Sequence, residues 1–269
     1  MRTVLGWCAL GAVLVLGSAV GGTCGVVSVM GSLSQQATAL PGGSVQGTIL
    51  VRNHSDQPQI VRVYQTDYDS YADGRCLFGE PGAAARSNAR WISLGTSRLE
   101  LTAQQVATVR YTVRVPADNT LVGTYWSVIM VEAVAEPAAP TADGKPAVGM
   151  QQVLRYGVQI VTDIGQTGKP DLHLGNERLD KDAQGRWFRV DAENVGERSL
   201  LPAAWVELFD DAGASKGRFG AEPRRIYPGC SARFEFDLSQ APPGRYRALL
   251  VLDNRDENVY GAQYDLDLK

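Results

Sequence analysis

Hydrophobic and polar residues alternate strictly along several short segments of this chain. In residues 109–115 four apolar side chains alternate with Arg110, Thr112 and Arg114, and Pro116 follows. Successive side chains of a β-strand point to opposite faces of the sheet, so this pattern predicts a half-buried strand. Proline has no N–H group to donate, which predicts that the strand ends there.

The same alternation recurs between turn signals about every dozen residues. Outside the first 24 residues we find no apolar pattern with a helical period of about 3.6 residues. An Asp-Asp-Ala-Gly sequence at 210–213 predicts a hairpin turn. The chain is therefore predicted to be all-β, with further strands at 26–30, 47–53, 60–68, 91–94, 99–101, 123–133, 153–161, 186–192, 203–210, 216–219, 232–238, 245–252 and 260–268.

The length of the chain favours two domains. Its 269 residues exceed the roughly 100 residues that one sandwich needs. A Pro/Ala-rich stretch at 136–146 predicts a loop, and Gly165-Gln-Thr-Gly-Lys-Pro170 is the best candidate for a boundary. We expect two immunoglobulin-like β-sandwich domains, at 25–165 and 170–269.

The N-terminus has the features of a targeting segment. Arg2 is followed by an uncharged apolar stretch at 4–16 and then by small residues, which indicates a signal peptide at 1–24. The alternative is a lipid-anchored Cys24, although Gly-Gly-Thr before it is a poor lipidation motif. No other stretch is long and apolar enough to span a bilayer. We expect export to the periplasm or the cell envelope, without a membrane span in the mature chain.

Export would bring the chain into oxidising conditions. Cys76 and Cys230 lie in different halves of the chain, each close to turn residues. A disulfide between them would join the two domains. The alternative is two unpaired thiols.

Composition and motifs indicate a protein that is not an enzyme and needs no cofactor. The formal net charge of −3 gives no basis for binding nucleic acid. His54 and His173 have no motif partners for a catalytic triad or a zinc site, and the chain has no glycine-rich phosphate loop. Nothing favours a carboxylate pair for glycoside hydrolysis, although its spacing would be spatial rather than sequential.

One acidic segment could be interpreted as a calcium loop. Asp67, Asp69 and Asp73 precede Gly74, and calcium prefers several oxygen ligands from one turn. However, Tyr71 stands where an oxygen ligand belongs. A strand end followed by a solvated Asp-Gly turn is the better interpretation, so no metal site is predicted.

Four segments of the first half carry a likeness to known families: Gly47-Thr-Ile-Leu-Val-Arg-Asn53, Leu99-Glu-Leu101, residues 109–116 and Gly123-Thr-Tyr-Trp126. Together they resemble the immunoglobulin-like domains of the PapD-type periplasmic chaperone superfamily. The long loop before 153–161 looks like the hairpin between the F and G strands of that superfamily's first domain. The first half also resembles the peptidoglycan-binding domain of WxL-interacting surface proteins.

The resemblance implies a chaperone-like protein that binds an exported or surface protein subunit by pairing β-strands. In usher-pathway chaperones an Arg early in the first strand and a Lys on the G strand clamp the subunit's terminal carboxylate. This chain has no Lys or Arg between Cys24 and Val51, and Arg155 is the basic residue on its G-like strand. That carboxylate clamp is therefore not recognisable.

The predicted partner-binding residues are Leu154, Tyr156, Val158 and Ile160, which share one face of the strand at 153–161. They could form the apolar row of an edge strand that pairs with a partner's strand. Alternatively, they could be the core of their own sandwich, as most apolar strand faces are.

The alternative function is a peptidoglycan- or carbohydrate-binding module at the cell surface, with the cell wall as partner. Tryptophan rings can stack on sugars, although half-buried aromatic residues are commoner in sandwiches. The candidate residues for this function are Trp91, Trp126, Trp187 and Trp205.

Overall fold

The computed structural model describes residues 26–134, 154–183 and 185–269. Within these ranges the secondary structure is strands and one short 3-10 turn, Ala89–Trp91, so the all-β prediction is confirmed. The predicted signal peptide, with Cys24, lies outside the described residues. No helix in the described ranges has the length and apolar character needed to cross a membrane.

Ten strands form a first β-sandwich. Sheet 1 has the order β1-β3-β8-β6 and sheet 2 the order β2-β10-β9-β4-β5, with β7 also paired to β4. All these pairs are antiparallel except β2 with β10, which is parallel. The strands are β1 (Val27–Met30), β2 (Ser34–Ala39), β3 (Ser44–Asn53), β4 (Gln59–Ser70), β5 (Cys76–Gly79), β6 (Ile92–Leu94), β7 (Arg98–Leu101), β8 (Val106–Arg114), β9 (Gly123–Ala133) and β10 (Arg155–Ile164).

The facing sides of sheets 1 and 2 enclose an aliphatic core. β8 contributes three of the apolar residues of its alternating pattern, so the predicted inward face is the observed one. Buried area of this kind is the main stabilising contribution to a sandwich. The aliphatic members of the core are Val27, Ile49, Val51, Val61, Val63, Ile92, Leu101, Val109, Val113, Ile129, Val131, Val158 and Ile160.

Seven strands form a second β-sandwich. Sheet 3 has the order β11-β12-β15 and sheet 4 the order β14-β13-β16-β17. Three phenylalanines, Phe188, Phe234 and Phe236, lie in its core with almost no exposed surface. The predicted hairpin at 210–213 is confirmed as the turn between β13 and β14. The strands are β11 (Leu172–Asp182), β12 (Gly185–Asn194), β13 (Ala203–Phe209), β14 (Ser215–Ala221), β15 (Ser231–Asp237), β16 (Gly244–Asp253) and β17 (Val259–Leu268).

The two sandwiches meet at an aromatic cluster, which we call the junction cluster. It consists of Trp126, Val161, Tyr227 and Cys230, with Tyr68 packed against them. The rings of Trp126 and Tyr227 stack with their centroids 4.6 Å apart and their planes 8° from parallel. The Trp126 Nε1 group also donates to the carbonyl oxygen of Tyr68, at 2.5 Å.

Backbone hydrogen bonds fix the other side of this junction. The amide of Thr124 donates to the carbonyl oxygen of Glu197 at 2.8 Å. The amide of Ser199 donates in return to the Thr124 hydroxyl at 2.9 Å. The first sandwich is therefore attached to the 195–199 loop of the second by short directional bonds as well as by ring stacking.

Three strands were not predicted, and all are sheet edges. β2 has the sequence SQQATA and carries no large apolar side chain, and all four residues of β5 are exposed. β11 carries many charges, and its register shifts between Gly175 and Arg178. Edge strands pair on one side only and bury little surface, so hydrophobic alternation, the signal that located the other strands, is weak in them.

Candidate functional site

Strand β10 is paired along its full length on one side but only partly on the other. On the β9 side the register runs from Arg155 opposite Glu132 to Ile164 opposite Gly123. On the other side β2 covers only residues 159–164. Residues 155–158 therefore have no neighbouring strand on that side within the described residues. We call this stretch of β10 the open edge.

The backbone of the open edge faces away from the sheet. The amide of Gln159 donates to the carbonyl oxygen of Leu33 at 2.8 Å, so the backbone groups of Gln159 point towards β2. These groups alternate in direction along a strand, so Arg155 and Gly157 present theirs on the same side. A strand with free N–H and C=O groups can accept another strand as a neighbour.

The four predicted partner-binding residues run from the core out to the surface. Val158 and Ile160 have relative exposures of 0% and 2% and belong to the core of the first sandwich. Tyr156 packs partly buried against the same core, while Leu154 is 44% exposed. The core interpretation therefore accounts for Val158 and Ile160. Tyr156 lies within the open edge, and Leu154 directly precedes it. A partner-binding role for the row stays a prediction.

An ion-pair group lies on the other face of this end of β10. Arg155 and Arg62 each approach Glu132 at 3.3 Å, and the Tyr64 hydroxyl donates to the same carboxylate at 2.9 Å. Partial burial opposes ionisation of Glu132. The Tyr64 hydrogen bond and the two guanidinium groups outweigh that effect and lower the pKa of Glu132 below its usual range. The end of the open edge at Arg155 is thus held in place, and the two arginines outnumber the one glutamate there, so this end carries a net positive charge.

At its other end, at Val158, the open edge leads into a cleft between the two sandwiches, which we call the interdomain cleft. Its volume is about 480 Å³, and Gln159 lies in its wall. The Tyr227 hydroxyl donates to Oε1 of Gln159 at 2.8 Å, and burial raises the pKa of Tyr227 well above its usual value. Arg224 and Arg225 line the same cleft.

The two arginines are the functional candidates that the sequence analysis missed. Arg225 donates to the Ser199 hydroxyl at 3.2 Å. Arg224 is exposed and forms no ion pair with any residue that the structure describes. They lie 65 and 66 residues along the chain from Gln159, so only the docking of the two sandwiches brings them to the end of β10. The one local feature of the sequence that could have pointed to this site is the pair of adjacent arginines.

The two cysteines considered for a disulfide are both free thiols in the structure, with Cys76 exposed and Cys230 buried. The Tyr68 hydroxyl lies 3.9 Å from Sγ of Cys76, and Sγ of Cys230 lies 3.7 Å from Oδ1 of Asp69. The thiols of the two sandwiches therefore approach adjacent residues of β4.

The three aspartates considered for calcium have separate partners. Asp67 is buried and accepts the amides of Gly82 and Ala84 at 3.0 and 2.7 Å. Asp73 accepts Nε of Arg75 at 2.7 Å. No metal-like cluster of three ligands occurs in the described part of the chain. These contacts fit the interpretation as a strand end and turn.

The four tryptophans considered for sugar stacking are all partly or fully buried. Trp126 stacks on Tyr227 inside the junction cluster. The guanidinium carbon of Arg218 lies 3.6 Å from the ring centre of Trp205, and Trp91 packs on Tyr125 at 4.7 Å. A sugar needs an accessible ring face, so this arrangement does not favour the carbohydrate-binding alternative.

No family model matches the chain, and no curated protein matches it significantly. The solved structures similar to it include the class 5 fimbriae chaperone CfaA, at 13% identity and a TM-score of 0.48 over 88% of this chain and 98% of that one. A chain of the chaperone–tip adhesin complex of CFA/I fimbriae matches at 13% identity and a TM-score of 0.46, covering 89% and 97%.

A third similar structure comes from the CsuC–CsuE chaperone–tip subunit pre-assembly complex of the Csu pili of Acinetobacter baumannii. It matches at 10% identity and a TM-score of 0.46, covering 88% of this chain and 97% of that one. All three are structures of fimbrial chaperones or of complexes that contain one. The resemblance to WxL-interacting surface proteins finds no support.

Proposed function

We propose that this protein is an exported chaperone-like or assembly module that binds an extended segment of a protein subunit along the open edge of β10. The observation that carries the proposal is the early end of the β2–β10 pairing, which leaves Arg155 and Gly157 without a neighbouring strand on that side among the described residues. The bound segment would extend sheet 2 by one strand and would take the place that β2 occupies further along β10.

Main-chain hydrogen bonds would supply much of the affinity in this mode of binding. Side-chain contacts would supply the selectivity, because alternate residues of an added strand point to the two faces of the sheet. On the inner face the partner's residues would meet Leu154 and Tyr156. On the outer face they would meet Gly157, where an added Cβ would lie only 3.0 Å from Cγ1 of Val128. Because residue 157 is a glycine, no side chain projects from the outer face of β10 at this position.

The interdomain cleft would receive the end of the bound segment. Arg224 and Arg225 bring two guanidinium groups to the place where Gln159 closes the open edge. Arginine binds carboxylates strongly because its N–H groups match the two oxygens. We therefore propose that an acidic side chain or a terminal carboxylate of the partner binds there.

Arg155→Pro tests the added strand directly. It removes an N–H group on the unpaired side of β10, so the hydrogen bonds to β9 are retained. We expect the amount of partner that copurifies from an envelope extract, measured by quantitative mass spectrometry, to fall about 10- to 100-fold because one ladder bond is lost and the ring obstructs the edge.

Arg155→Ala is the matched control, because it loses the same side chain and the Glu132 ion pair but keeps the amide. It should retain nearly all the partner, since exposed ion pairs contribute little. Equal binding by the proline and alanine variants would contradict strand addition at the open edge.

A second prediction concerns the arginines of the interdomain cleft. Arg224→Glu reverses a charge that lacks an ion-pair partner in the described structure, and we expect it to weaken partner binding about tenfold. Arg245→Glu makes the same change of charge at an exposed position outside the cleft and should leave binding unchanged. The comparison is best made at two salt concentrations, because the effect should shrink as salt rises. Equal losses in both variants would contradict a specific acidic group in the cleft.

A further inference from the structure

Strand β5 places Cys76 on the side of β4 that faces the second sandwich. Cys76 is paired with Ser70, and Phe78 with Tyr68. The rings of Tyr68 and Phe78 lie 5.3 Å apart, and the Tyr68 hydroxyl lies 3.9 Å from Sγ of Cys76. Tyr68 itself packs against the junction cluster. The exposed thiol is thus directed towards the boundary between the sandwiches.

Cys230 approaches the same end of β4 from the other sandwich. Its Sγ lies 3.7 Å from Oδ1 of Asp69 and lies against the backbone amide of Ser70. One residue further on, the hydroxyl of Ser231 accepts the amide of Ala72 at 2.9 Å. The loop before β15 is therefore fixed to the end of β4 on both sides of Ser70.

The two thiols consequently flank one residue, Ser70, and come from different sandwiches. A disulfide needs Cα atoms about 4.4–6.8 Å apart, with Cβ vectors that converge. The four-residue edge strand β5 is exposed throughout and, among the described strands, pairs with β4 alone, so a displacement of β5 that brings Cys76 to Cys230 costs little buried surface. Cys230 is held in the junction cluster, so Cys76 is the partner that moves.

We propose that Cys76 and Cys230 form a redox-dependent disulfide that locks the two sandwiches together and fixes one wall of the interdomain cleft. Cys76 lines that cleft together with Arg224 and Arg225. The lock would thus set the width of the cleft in which the partner's acidic group is proposed to bind. Formation of the bond depends on the proposed export for its oxidant, but it does not depend on partner binding.

The oxidant is an exogenous disulfide, such as that of a thiol oxidase or oxidised glutathione. The Cys76 thiolate attacks one sulfur of it, forms a mixed disulfide and releases the first thiol. The Cys230 thiolate then attacks Sγ of Cys76 and releases the second thiol. Two protein thiols lose two electrons and two protons, and the exogenous disulfide becomes two thiols.

The environments of the two thiols fit this order. Cys76 is exposed and open to a large oxidant. Burial raises the pKa of Cys230 to about 12, so its thiolate is scarce at neutral pH and the second step is the slow one.

The test is oxidation of the purified chain with oxidised glutathione, followed by alkylation, digestion without reduction and mass spectrometry. We expect a peptide that joins Cys76 to Cys230 and is lighter than its two parts by two hydrogen atoms. We also expect oxidation to raise the Tm of the wild type by on the order of 5 °C. Cys76→Ser changes only an exposed position, so it should fold normally and show no oxidation-dependent rise in Tm.

Any of four results would overturn the proposal. The two cysteines could both remain alkylatable after oxidation, glutathione could persist on Cys76, or Cys76 could be joined to Cys8 or Cys24. An equal rise in Tm for Cys76→Ser would also contradict it. None of these measurements involves the subunit partner, so a failure here is distinguishable from a failure of the proposed strand pairing.

Discussion

Gly123→Val is expected to separate the two sandwiches at their backbone contact. Gly123 has a φ of +74°, a conformation that β-branched residues rarely adopt. A Cβ at this position would overlap the carbonyl oxygen of Glu197, and the next residue, Thr124, donates its amide to that same oxygen. The two nearest atoms, the carbonyl oxygen and carbonyl carbon of Glu197, belong to the backbone and cannot move aside as the end of a flexible side chain could. The valine must therefore displace the 195–199 loop.

We expect a loss of about 3 kcal/mol or more in the free energy of unfolding, as backbone strain adds to steric displacement. Denaturant unfolding gives the loss. Hydrogen exchange should show faster exchange of the Thr124 amide, and the fluorescence of Trp126 should shift as Tyr227 moves away.

Gly213→Val is the matched control for this change. Gly213 has a nearly identical φ of +79°, and nothing lies within 4 Å of an added Cβ. The control carries the strain of the backbone conformation without the overlap, and it should cost about 1–2 kcal/mol. If the two variants were equally destabilised and Thr124 stayed protected, the Gly123 contact would not be what holds the sandwiches together.

Most of the fold follows from local sequence patterns. The β8 segment shows why: its apolar residues alternate, one face has a core to enter, and the strand ends at a proline. The same logic located β12, β13, β15 and β16 in the second sandwich. The pattern could not locate β5, because all four of its residues are exposed and a strand without a buried face needs no alternation of apolar and polar residues.

The candidate site is less accessible to such patterns. The apolar row on β10 could be identified, but its burial depends on depth within the sandwich, and Val158 and Ile160 differ from Leu154 only in that respect. The open edge exists because the chain passes from sheet 1 to sheet 2 between β1 and β2, and β2 pairs with β10 only from Gln159 onwards. Such a change of sheet is a long-range property, and β2 itself is too polar to be predicted.

The interdomain cleft depends on a still longer-range event. Arg224 and Arg225 lie in the second sandwich, and they meet Gln159 only because Tyr227 stacks on Trp126. Sequence spacing cannot supply such a contact, because it is set by how two separate cores dock. The same holds for the approach of Cys76 and Cys230 to Ser70, which the sequence allowed but did not require.

Asn194→Ala is expected to destabilise the second sandwich and loosen the junction at the same time. Asn194 is fully buried, and its Nδ2 donates to the carbonyl oxygens of Arg198 and Ile226 at 2.7 and 2.8 Å. Its Oδ1 accepts the amide of Gly196 at 2.9 Å. Alanine removes the side-chain partner of the Gly196 amide and of the Arg198 carbonyl, whereas the Ile226 carbonyl keeps the amide of Leu200. At about 1–3 kcal/mol for each group that loses its partner, we expect a total loss of about 3 kcal/mol.

The position of this asparagine gives the prediction its second part. One of its bonds holds the 195–199 loop, which carries Glu197, and another holds Ile226, next to Tyr227. Both segments contact the first sandwich. Hydrogen exchange should therefore accelerate at Thr124 in the first sandwich as well as around residue 196 in the second.

Two variants separate these effects. Asn53→Ala removes an equivalent group of bonds in the first sandwich, where Nδ2 of Asn53 donates to the carbonyl oxygens of Gln57 and Thr102 at 2.8 and 2.9 Å. It should be comparably destabilising but leave Glu197 and Tyr227 in place. Asn119→Ala, at an exposed loop position, should change stability by less than about 0.5 kcal/mol. If Asn194→Ala left the exchange of Thr124 unchanged while lowering stability, the turn around Asn194 would support its own sandwich without positioning the junction.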